Sequence, residues 1–376
     1  MGAGFSKPNQ VANNKFTVQK EIVIVGLNHR SAPIEVRESV AFDHAYLRAA
    51  LARLHGFPAI DEGVILSTCN RVEFYLATSK PADTFEALLS FLGHYSRLPE
   101  ALLRAHLYQC LGMEAARHLC AVTAGLDSMI LGESEITAQV KHAYLHAQTI
   151  GSTGPQLNRL FQKALHCAKM VRSHTSITEG SASVGSVVVD LTHGLFGDGL
   201  THCDVLLWGA GKAAEATARH LIKRGIRQLW IVNRTPAKAQ DLAALCQGGW
   251  LSWEEAVKHL AHVDIAIVCT QAPHYVIDAD DIETIRASRN GRPLVLIDLA
   301  VPRNIDPAVA KTSGVRLYNI DDLQGIACLA LAQRRGALTG CEAIIEQQVE
   351  HLAHWWKVTA HKEAAACRLV ESCSSV

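Results

Sequence analysis

The feature that most restricts the fold of this chain is a glycine turn between a short apolar strand and a helix. Residues 204–208 are Asp-Val-Leu-Leu-Trp, a pattern that favours a buried strand, and Gly209-Ala210-Gly211 follows at once. Residues 212–223 have a helical pattern that ends before Gly225. A strand, a turn and a helix in this succession predict one unit of an α/β sheet.

Further strands follow this unit at the spacing of an alternating α/β domain. A second strand is predicted over 229–232, and others over 264–269 and 294–298. Between them, Ser252 and Glu255 have the spacing of a helix capping box. The alternation predicts a parallel sheet with helices on its faces. This is a Rossmann domain, in which a pyrophosphate lies at the amino end of the first helix.

The glycine turn and the end of the second strand both indicate a nucleotide cofactor. The third glycine of the usual fingerprint is replaced by Ala214, which is acceptable because that position serves helix packing. Arg234 follows the second strand where NAD-binding proteins place a carboxylate, and an arginine there suits a 2′-phosphate. We therefore predict NADPH as the cofactor. The predicted cofactor-binding residues are Gly209, Ala210, Gly211, Lys212, Ala213, Ala214, Asn233, Arg234 and Thr235.

A second informative stretch surrounds Cys69. The apolar run Val64 to Leu66 and the alternating run over 72–77 predict two strands, joined by a tight connection that contains Cys69. A side chain in such a connection is exposed and yet held by rigid elements. Arg71 lies two residues further on, and a fixed cation favours the reactive thiolate. The alternative is that Cys69 is one of eleven cysteines that mostly fill cores.

The segments around this connection predict a mixed α/β domain. Residues 22–26 form an apolar strand, and Asp43 is placed to cap a helix whose leucines recur at helical spacing. Another helix is predicted over 84–95. From Pro99 onward, the chain is predicted to be helical.

Two of the later helices carry polar candidates. His118 lies on an apolar helix face, where a buried, hydrogen-bonded histidine is the ordinary explanation and a proton donor in a pocket is the alternative. Glu135 and Gln139 lie on the polar face of a following helix, which by default is solvated. If that face borders a cleft, Ser128, Glu135 and Gln139 match the amino group and carboxylate of a small zwitterion.

Three domains are predicted along the chain. The long helix that begins at Pro155 ends before a stretch of small polar residues over 175–181, which indicates a linker. We predict a catalytic domain over 20–165, a linker helix and nucleotide-binding domain over 166–322, and a helical segment over 323–376. The apolar positions of this last segment pack either on a second chain or on the same chain.

Composition limits the remaining possibilities. Lysine and arginine together number 36, as do the acidic residues, so binding of RNA would need a local basic patch. Eleven cysteines without paired spacing indicate the reducing cytoplasm, and their spacing does not suggest a metal site. No apolar run approaches the length of a membrane span.

Five segments, in the same order along the chain, resemble glutamyl-tRNA reductase. They are Gly26 to Pro33, Ser67 to Tyr75, Gly125 to Glu133, Asn233 to Thr235 and Asp298 to Pro307. Similarity extends from about Ile22 to Leu323. The resemblance implies an α/β architecture with a mixed α/β catalytic domain, a Rossmann NADP-binding domain and a C-terminal helical segment, joined by a long spinal helix.

The resemblance also implies an activity. This is the NADPH-dependent reduction of glutamyl-tRNA(Glu) to glutamate-1-semialdehyde through a cysteine thioester, the first step of the five-carbon route to 5-aminolevulinate, tetrapyrroles and porphyrins. The implied partners are the charged tRNA, a second copy in a homodimer and glutamate-1-semialdehyde aminomutase, without a membrane. By position, Cys69 is the nucleophile and His118 is important for activity. The implied substrate-binding residues are Thr68, Asn70, Arg71, Ser128, Glu133, Ser134, Glu135 and Gln139.

The chain departs from this family in two places, and two other functions stay open. Glu133-Ser134-Glu135 stands where the family usually has Glu-Pro-Gln, which adds a carboxylate near a bound glutamate. The C-terminal region is shorter than the family's usual helical domain. One alternative is a shikimate-dehydrogenase-like NADP oxidoreductase, which needs no nucleophilic cysteine. The other is a non-catalytic relative that binds tRNA or a pathway partner.

Overall fold

An antiparallel sheet forms the centre of the first domain. The computed structural model of the protein describes residues 20–178, 183–323 and 335–373. The strands of this sheet are β1 (Glu21–Asn28), β2 (Glu62–Ser67), β3 (Arg71–Thr78) and β4 (Tyr108–Leu111), in the order β2-β3-β1-β4. β4 pairs with β1 in a region that was predicted to be helical, so that prediction is wrong there. The residues of β4 are only half-buried or exposed, as is typical of an edge strand.

Helices cover this sheet and bury their apolar faces against it. They are α1 (Ile34–Val40), α2 (His44–Leu54), α3 (Pro81–Ser96), α4 (Glu100–His106), α5 (Gly112–Thr123), α6 (Glu135–Thr149) and α7 (Pro155–His174). The Asp43 side chain accepts the Tyr46 N–H and caps α2, as predicted. The core continues along α7 as far as Val171 and includes Ile177. The domain boundary predicted at 165 therefore falls inside a helix that belongs to this core.

The second domain contains a six-stranded parallel sheet in the order β7-β6-β5-β8-β9-β10, which confirms the predicted Rossmann fold. Its strands are β5 (Asp204–Trp208), β6 (Gln228–Val232), β7 (Gly249–Leu251), β8 (Ile265–Val268), β9 (Leu294–Asp298) and β10 (Val315–Asn319). Its helices are α8 (Val184–Phe196), α9 (Lys212–Lys223), α10 (Pro236–Cys246), α11 (Trp253–His259) and α12 (Ala279–Arg289). The outer strands β7 and β10 are additions to the prediction. The capping box of Ser252 and Glu255 is confirmed.

The C-terminal segment is helical and lies on the first domain of the same chain. Helix α13 (Arg335–Cys373) buries Cys341, Ile345 and Leu352 in the core that contains α5 and α7. An ion pair between Arg117 on α5 and Glu346 supports this contact. Of the two predicted packing modes, the structure therefore contains packing on the same chain. Dimerisation stays a prediction.

Separate helices occupy the region where one long spinal helix was predicted. α7 ends at His174, and a 3-10 turn occupies Ser176–Thr178 at the start of the predicted linker. The rest of that linker, residues 179–181, lies outside the described residues. The spinal helix is not confirmed. Within the described ranges, no helix is both long and apolar enough to cross a membrane.

Candidate active site

The turn that carries Cys69 is closed by its own threonine. Residues 68–70 join β2 to β3, as predicted, and Ser67 pairs with Val72 in the register of the two strands. The Thr68 hydroxyl oxygen accepts the N–H groups of Asn70 and Arg71, each at 3.2 Å. Thr68 therefore fixes the backbone around the cysteine. Cys69 is a free, partly exposed cysteine.

Two other segments hold this turn from outside. The Nη1 of Arg37, on α1, donates to the Cys69 carbonyl at 2.7 Å. The His29 N–H, just after β1, donates to the Asn70 carbonyl at 2.9 Å. The Cys69 and Asn70 carbonyls of the turn thus have partners, so the cysteine lies on a rigid connection.

The electrostatics of the thiol differ from the prediction. Burial of its sulfur by the surrounding protein raises the pKa of Cys69 to about 12, and the carboxylates of Glu133 and Glu135 raise it further. Arg37 is the cation that opposes this shift. The prediction that the fixed cation Arg71 favours the Cys69 thiolate is therefore wrong, and a base must remove the proton.

Arg71 points away from the thiol into a buried ion-pair network. Its side chain is 1% exposed, and its Nη1 donates to Glu73 at 2.6 Å. Its Nη2 donates to the Asp127 carboxylate at 2.9 Å and to the Asp127 carbonyl. Although burial lowers the pKa of Arg71, the Glu73 and Asp127 carboxylates raise it well above its ordinary value. Arg71 therefore connects β3 to the loop that carries Asp127.

Glu73 accepts donors from three elements in addition to Arg71. Tyr75 and Tyr108 donate their hydroxyl groups, and His118 Nε2 lies 2.8 Å from Glu73 Oε1. Burial raises the pKa of this carboxyl, but Arg71 and His118 outweigh burial and hold it well below its usual range. His118 is thus a hydrogen-bonded residue of a buried network. Its part in the chemistry stays a prediction.

A glycine-bounded loop supplies the opposite side of the site. Gly125 and Gly132 have φ of +77° and +78°, and the Gly132 N–H donates to the Gly125 carbonyl at 3.0 Å. A Cβ on Gly132 would lie 2.6 Å from the Ile177 carbonyl oxygen. This loop holds Glu133, whose pKa is raised to about 7 by burial and further by Glu135. Glu133 can therefore take or release a proton near neutral pH.

Three buried polar atoms near this loop and the cysteine turn have no hydrogen-bond partner of normal geometry. They are His29 Nδ1, Asn70 Oδ1 and Ser128 Oγ. The Ser128 hydroxyl lies close enough to Glu133 to lower its pKa, yet makes no regular hydrogen bond to it. Burial and the cations Arg30 and Arg71 lower the pKa of His29 to about 4, so its ring is neutral at pH 7. Unpaired polar atoms at such depth are typical of a site that receives a polar ligand.

His29 is the residue of this group that the sequence analysis did not single out. The available signal was its position in a polar loop directly after a buried strand. The other predicted substrate residues lie on α6. Ser134 is exposed and precedes the helix, Glu135 is its first residue, and Gln139 is half-buried one turn later.

The nucleotide turn has the geometry that a pyrophosphate requires. Gly209 has φ of +115°, and a Cβ there would lie 2.5 Å from the Cys269 carbonyl oxygen. A Cβ on Gly211 would meet nothing within 4 Å, so this position is open to a ligand. Gly211 begins α9 without a side-chain cap, so the first N–H groups of α9 are free for phosphate. Ala214 is fully buried, which agrees with a packing role.

The residues after β6 are accessible, as a ribose-phosphate contact needs. Arg234 is exposed, and the Asn233 amide donates to the Thr235 carbonyl at 3.0 Å, which orders this bend. Pro236 begins α10 and Thr235 precedes it; the spacing predicts a Thr235 cap, but its side chain makes no capping bond, so that prediction is wrong. Lys212 is exposed at the start of α9. These residues fit NADPH.

The cysteine turn lies against the nucleotide domain. Cys69 packs on the apolar cluster of the second domain that also contacts Ala210 and Cys269. Glu135 raises the pKa of both Cys69 and Cys269, so its carboxylate lies near both. The predicted nucleophile therefore packs on the same apolar cluster as Ala210 of the glycine turn. Among the described residues, no group of three or more His, Cys, Asp or Glu is arranged to hold a metal ion.

Comparison with known protein families divides the chain in the same way. Residues 25–175 match the family model described as glutamyl-tRNA(Glu) reductase, N-terminal domain. Residues 190–326 match the model described as shikimate / quinate 5-dehydrogenase. The likeness to shikimate dehydrogenases is thus confined to the second domain.

Individual relatives extend over most of the chain. A glutamyl-tRNA reductase of Syntrophotalea carbinolica is 41% identical over 333 residues, which are 89% of this chain and 75% of the relative. That of Geotalea daltonii is 40% identical over 334 residues, which are 89% and 77% of the two chains. The solved glutamyl-tRNA reductase from Methanopyrus kandleri is 32% identical with a TM-score of 0.50, and covers 92% of this chain and 82% of its own.

Proposed function

The chain belongs to the glutamyl-tRNA reductase family, and we propose that it reduces the glutamyl ester of glutamyl-tRNA to glutamate-1-semialdehyde through a thioester on Cys69. Its relatives and its dehydrogenase-like domain make it an NADP-dependent oxidoreductase of the first step of tetrapyrrole synthesis. The alternative of a non-catalytic relative is therefore set aside. The proposal also places the enzyme in the cytoplasm.

One observation carries the proposal. Cys69 lies on a turn that contains the unpaired Asn70 Oδ1, is bonded to the backbone of His29 with its unpaired Nδ1, and packs on the apolar cluster of the nucleotide domain. An acyl group on this sulfur would be close to both the groups that recognise it and the cofactor that reduces it. Such proximity removes much of the entropic barrier to the transfer.

The thiol must first lose its proton, and Glu133 is the base that we propose. With a pKa of about 7, it is partly ionised at neutral pH. Its negative charge is also one cause of the raised pKa of Cys69. Uptake of the proton by Glu133 removes that charge and so stabilises the new thiolate. The carboxyl of Glu133 and the thiol of Cys69 therefore titrate as a coupled pair.

Formation of the thioester and its reduction to the aldehyde follow the loss of this proton. The thiolate attacks the ester carbonyl carbon, the bond from that carbon to the ribose oxygen breaks, and the ribose oxygen takes the proton from Glu133. A thioester remains on Cys69. NADPH, when bound, supplies the hydride to the thioester carbonyl. The carbon–sulfur bond breaks, which releases the aldehyde and restores the thiolate.

The unpaired polar atoms support a binding site for the glutamyl group. We propose that Asn70, Ser128 and neutral His29 bind its polar atoms, because each has an atom that lacks a partner. Thr68, Arg71, Ser134 and Gln139 stay candidates from the sequence, with Thr68 and Arg71 acting on the turn and its surroundings. We propose that Glu135 meets the α-ammonium group, because its carboxylate would repel the substrate's own carboxylate.

The relatives' family also suggests assemblies. We propose a homodimer through the C-terminal segment, and transfer of the unstable aldehyde to glutamate-1-semialdehyde aminomutase. Exposed side chains on the outer face of α13, such as Val358, are available for a second chain.

A single-turnover reaction without NADPH tests the central step. Wild-type protein is mixed with glutamyl-tRNA, and its intact mass is measured after quenching in acid. We expect one added glutamyl group on the wild type and none on Cys69→Ser. Cys110→Ser is the matched control, since Cys110 is also a half-buried free cysteine with a pKa raised to about 11 by burial. Equal acylation of Cys69→Ser and wild type would disprove the thioester.

A further inference from the structure

One buried arginine contacts both the cysteine turn and the nucleotide domain. Arg37 is 1% exposed, and its Nη1 donates to the Cys69 carbonyl at 2.7 Å. Its Nη2 forms an ion pair with Asp321. The two amino groups of one planar guanidinium thus hold groups from two domains, so moving one partner moves the other.

Asp321 is itself fixed within the nucleotide domain. It lies two residues after β10, and its N–H donates to the Asn319 side chain at 2.8 Å. Its side chain is 33% exposed, so the ion pair lies at the edge of the domain contact. Asp321 therefore moves with the end of the Rossmann sheet, so its position depends on how that sheet lies against the first domain.

We propose that Arg37 is a positioning residue that couples the seating of the nucleotide domain to the state of the Cys69 turn. When Asp321 is in place, its carboxylate neutralises Arg37 and fixes its orientation. When the domain moves away, Arg37 regains its uncompensated charge beside the turn. The reactivity of Cys69 therefore depends on whether the nucleotide domain lies against the first domain. The catalytic meaning of this coupling rests on the proposed function, in which Cys69 is the acylated residue; the coupling itself does not.

A second ion-pair cluster joins the same two domains without touching the turn. Arg303, which follows β9, contacts Glu38 at 2.7 Å and Glu35 at 3.2 Å, both on α1. If Arg37 served only to dock the domains, loss of Arg303 would have the same effect on the thiol. Arg303 thus provides the matched control for Asp321.

The test measures alkylation of Cys69 by iodoacetamide at several pH values, with quantification by peptide mass spectrometry. Only the thiolate reacts, and Arg37 opposes the rise in the pKa of Cys69 caused by burial, Glu133 and Glu135. Asp321→Asn removes the carboxylate that neutralises Arg37. Arg37 should then lower the pKa of Cys69 further and speed alkylation. Arg37→Gln removes the positive charge that lowers the pKa of Cys69, so it should slow alkylation. A change of half a pKa unit alters the rate about threefold.

The two variants should therefore shift the alkylation rate in opposite directions, by about threefold or more, while Arg303→Gln stays within about twofold of wild type. A purely structural loosening of the turn would speed alkylation in both. Shifts of equal sign, no shift, or an equal shift in Arg303→Gln would overturn the inference. If Arg37→Gln fails to fold by circular dichroism, Arg37→Met, which also removes the charge and keeps a long side chain, replaces it.

Alkylation needs neither tRNA nor NADPH, so this test is independent of the acylation experiment. If Cys69 is not acylated but the opposite shifts are found, the proposed function fails and the coupling stands. If Cys69 is acylated and the shifts are absent, only the coupling fails.

Discussion

Replacing Glu73 by glutamine should cost the first domain about 3–5 kcal/mol of unfolding free energy, the usual penalty for breaking a buried ion pair. The Glu73 side chain is fully buried, and the Arg71 side chain beside it is 1% exposed. Glutamine keeps the shape and an acceptor oxygen, but not the charge. Arg71 would then depend on Asp127 alone, and the hydroxyl groups of Tyr75 and Tyr108 would lose an ionic acceptor.

The dependence of this loss on pH follows from the pKa of Glu73. The folded protein holds this pKa well below the ordinary value of 4.5 because Arg71 and His118 outweigh burial. The native state therefore keeps the carboxylate ionised while the unfolded state takes up a proton below pH 4.5. The stabilisation by Glu73 is complete above that pH and declines as the pH falls below it. The difference between wild type and Glu73→Gln should shrink in the same window.

Urea denaturation at pH 7.5 and at steps down to about pH 3.5 measures both effects. This range includes the pKa of the Glu73 carboxyl in the unfolded chain. Hydrogen exchange of peptides from β1 and β3 assigns the loss to the first domain. Two controls are Tyr75→Phe, which removes one donor, and Glu86→Gln, which breaks an exposed ion pair with Arg104. A loss below about 1 kcal/mol for Glu73→Gln, or equal losses in Glu73→Gln and Glu86→Gln, would refute the reasoning.

Four further predictions concern the cofactor and the thiol. Arg234→Ala should raise the KM for NADPH at least about tenfold and leave the KM for NADH unchanged in steady-state kinetics, because a charge-assisted contact to the 2′-phosphate is lost. Gly209→Ala should lower both the melting temperature and NADPH affinity, since its Cβ would clash with a carbonyl at 2.5 Å. Gly211→Ala, whose Cβ would meet no atom within 4 Å, should lower the NADPH affinity measured by calorimetry and leave the melting temperature unchanged. Glu135→Gln should lower the pKa of Cys69 and speed its alkylation at pH 8, because that carboxylate raises the pKa.

Local sequence patterns were sufficient to predict the two parts of the site that each lie within one short stretch of chain. The cysteine turn was predicted because apolar runs on both sides have the period of strands, and the nucleotide turn because a strand precedes its glycines. Arg37 could not be found in this way. It lies 32 positions before Cys69 and 284 before Asp321, and its helix carries no pattern that points to either. Contacts of such separation depend on how whole elements pack.

The wrong prediction for Arg71 has a different cause. Sequence proximity to Cys69 was taken as spatial proximity of the charges. Along a strand, side chains two apart share a face, so Arg71, Glu73 and Tyr75 point the same way. That face meets His118 and Asp127, whereas Cys69 lies in the turn before the strand. The alternation of β3 could therefore have placed Arg71 beside Glu73.

The segment from Asp298 to Pro307 contributed to the family resemblance without supplying a predicted site residue, and its contacts explain its form. The buried Asp298 carboxylate accepts the N–H groups of Ala300, Asn304 and Ile305 at 3.0, 2.7 and 2.8 Å. Burial nevertheless raises its pKa to about 6, so desolvation outweighs these bonds. The bonds shape the loop that presents Arg303 to α1. Since α1 also carries Arg37, the same helix meets the nucleotide domain twice, once to dock it and once beside the cysteine. The motif therefore acts on the chemistry through domain position.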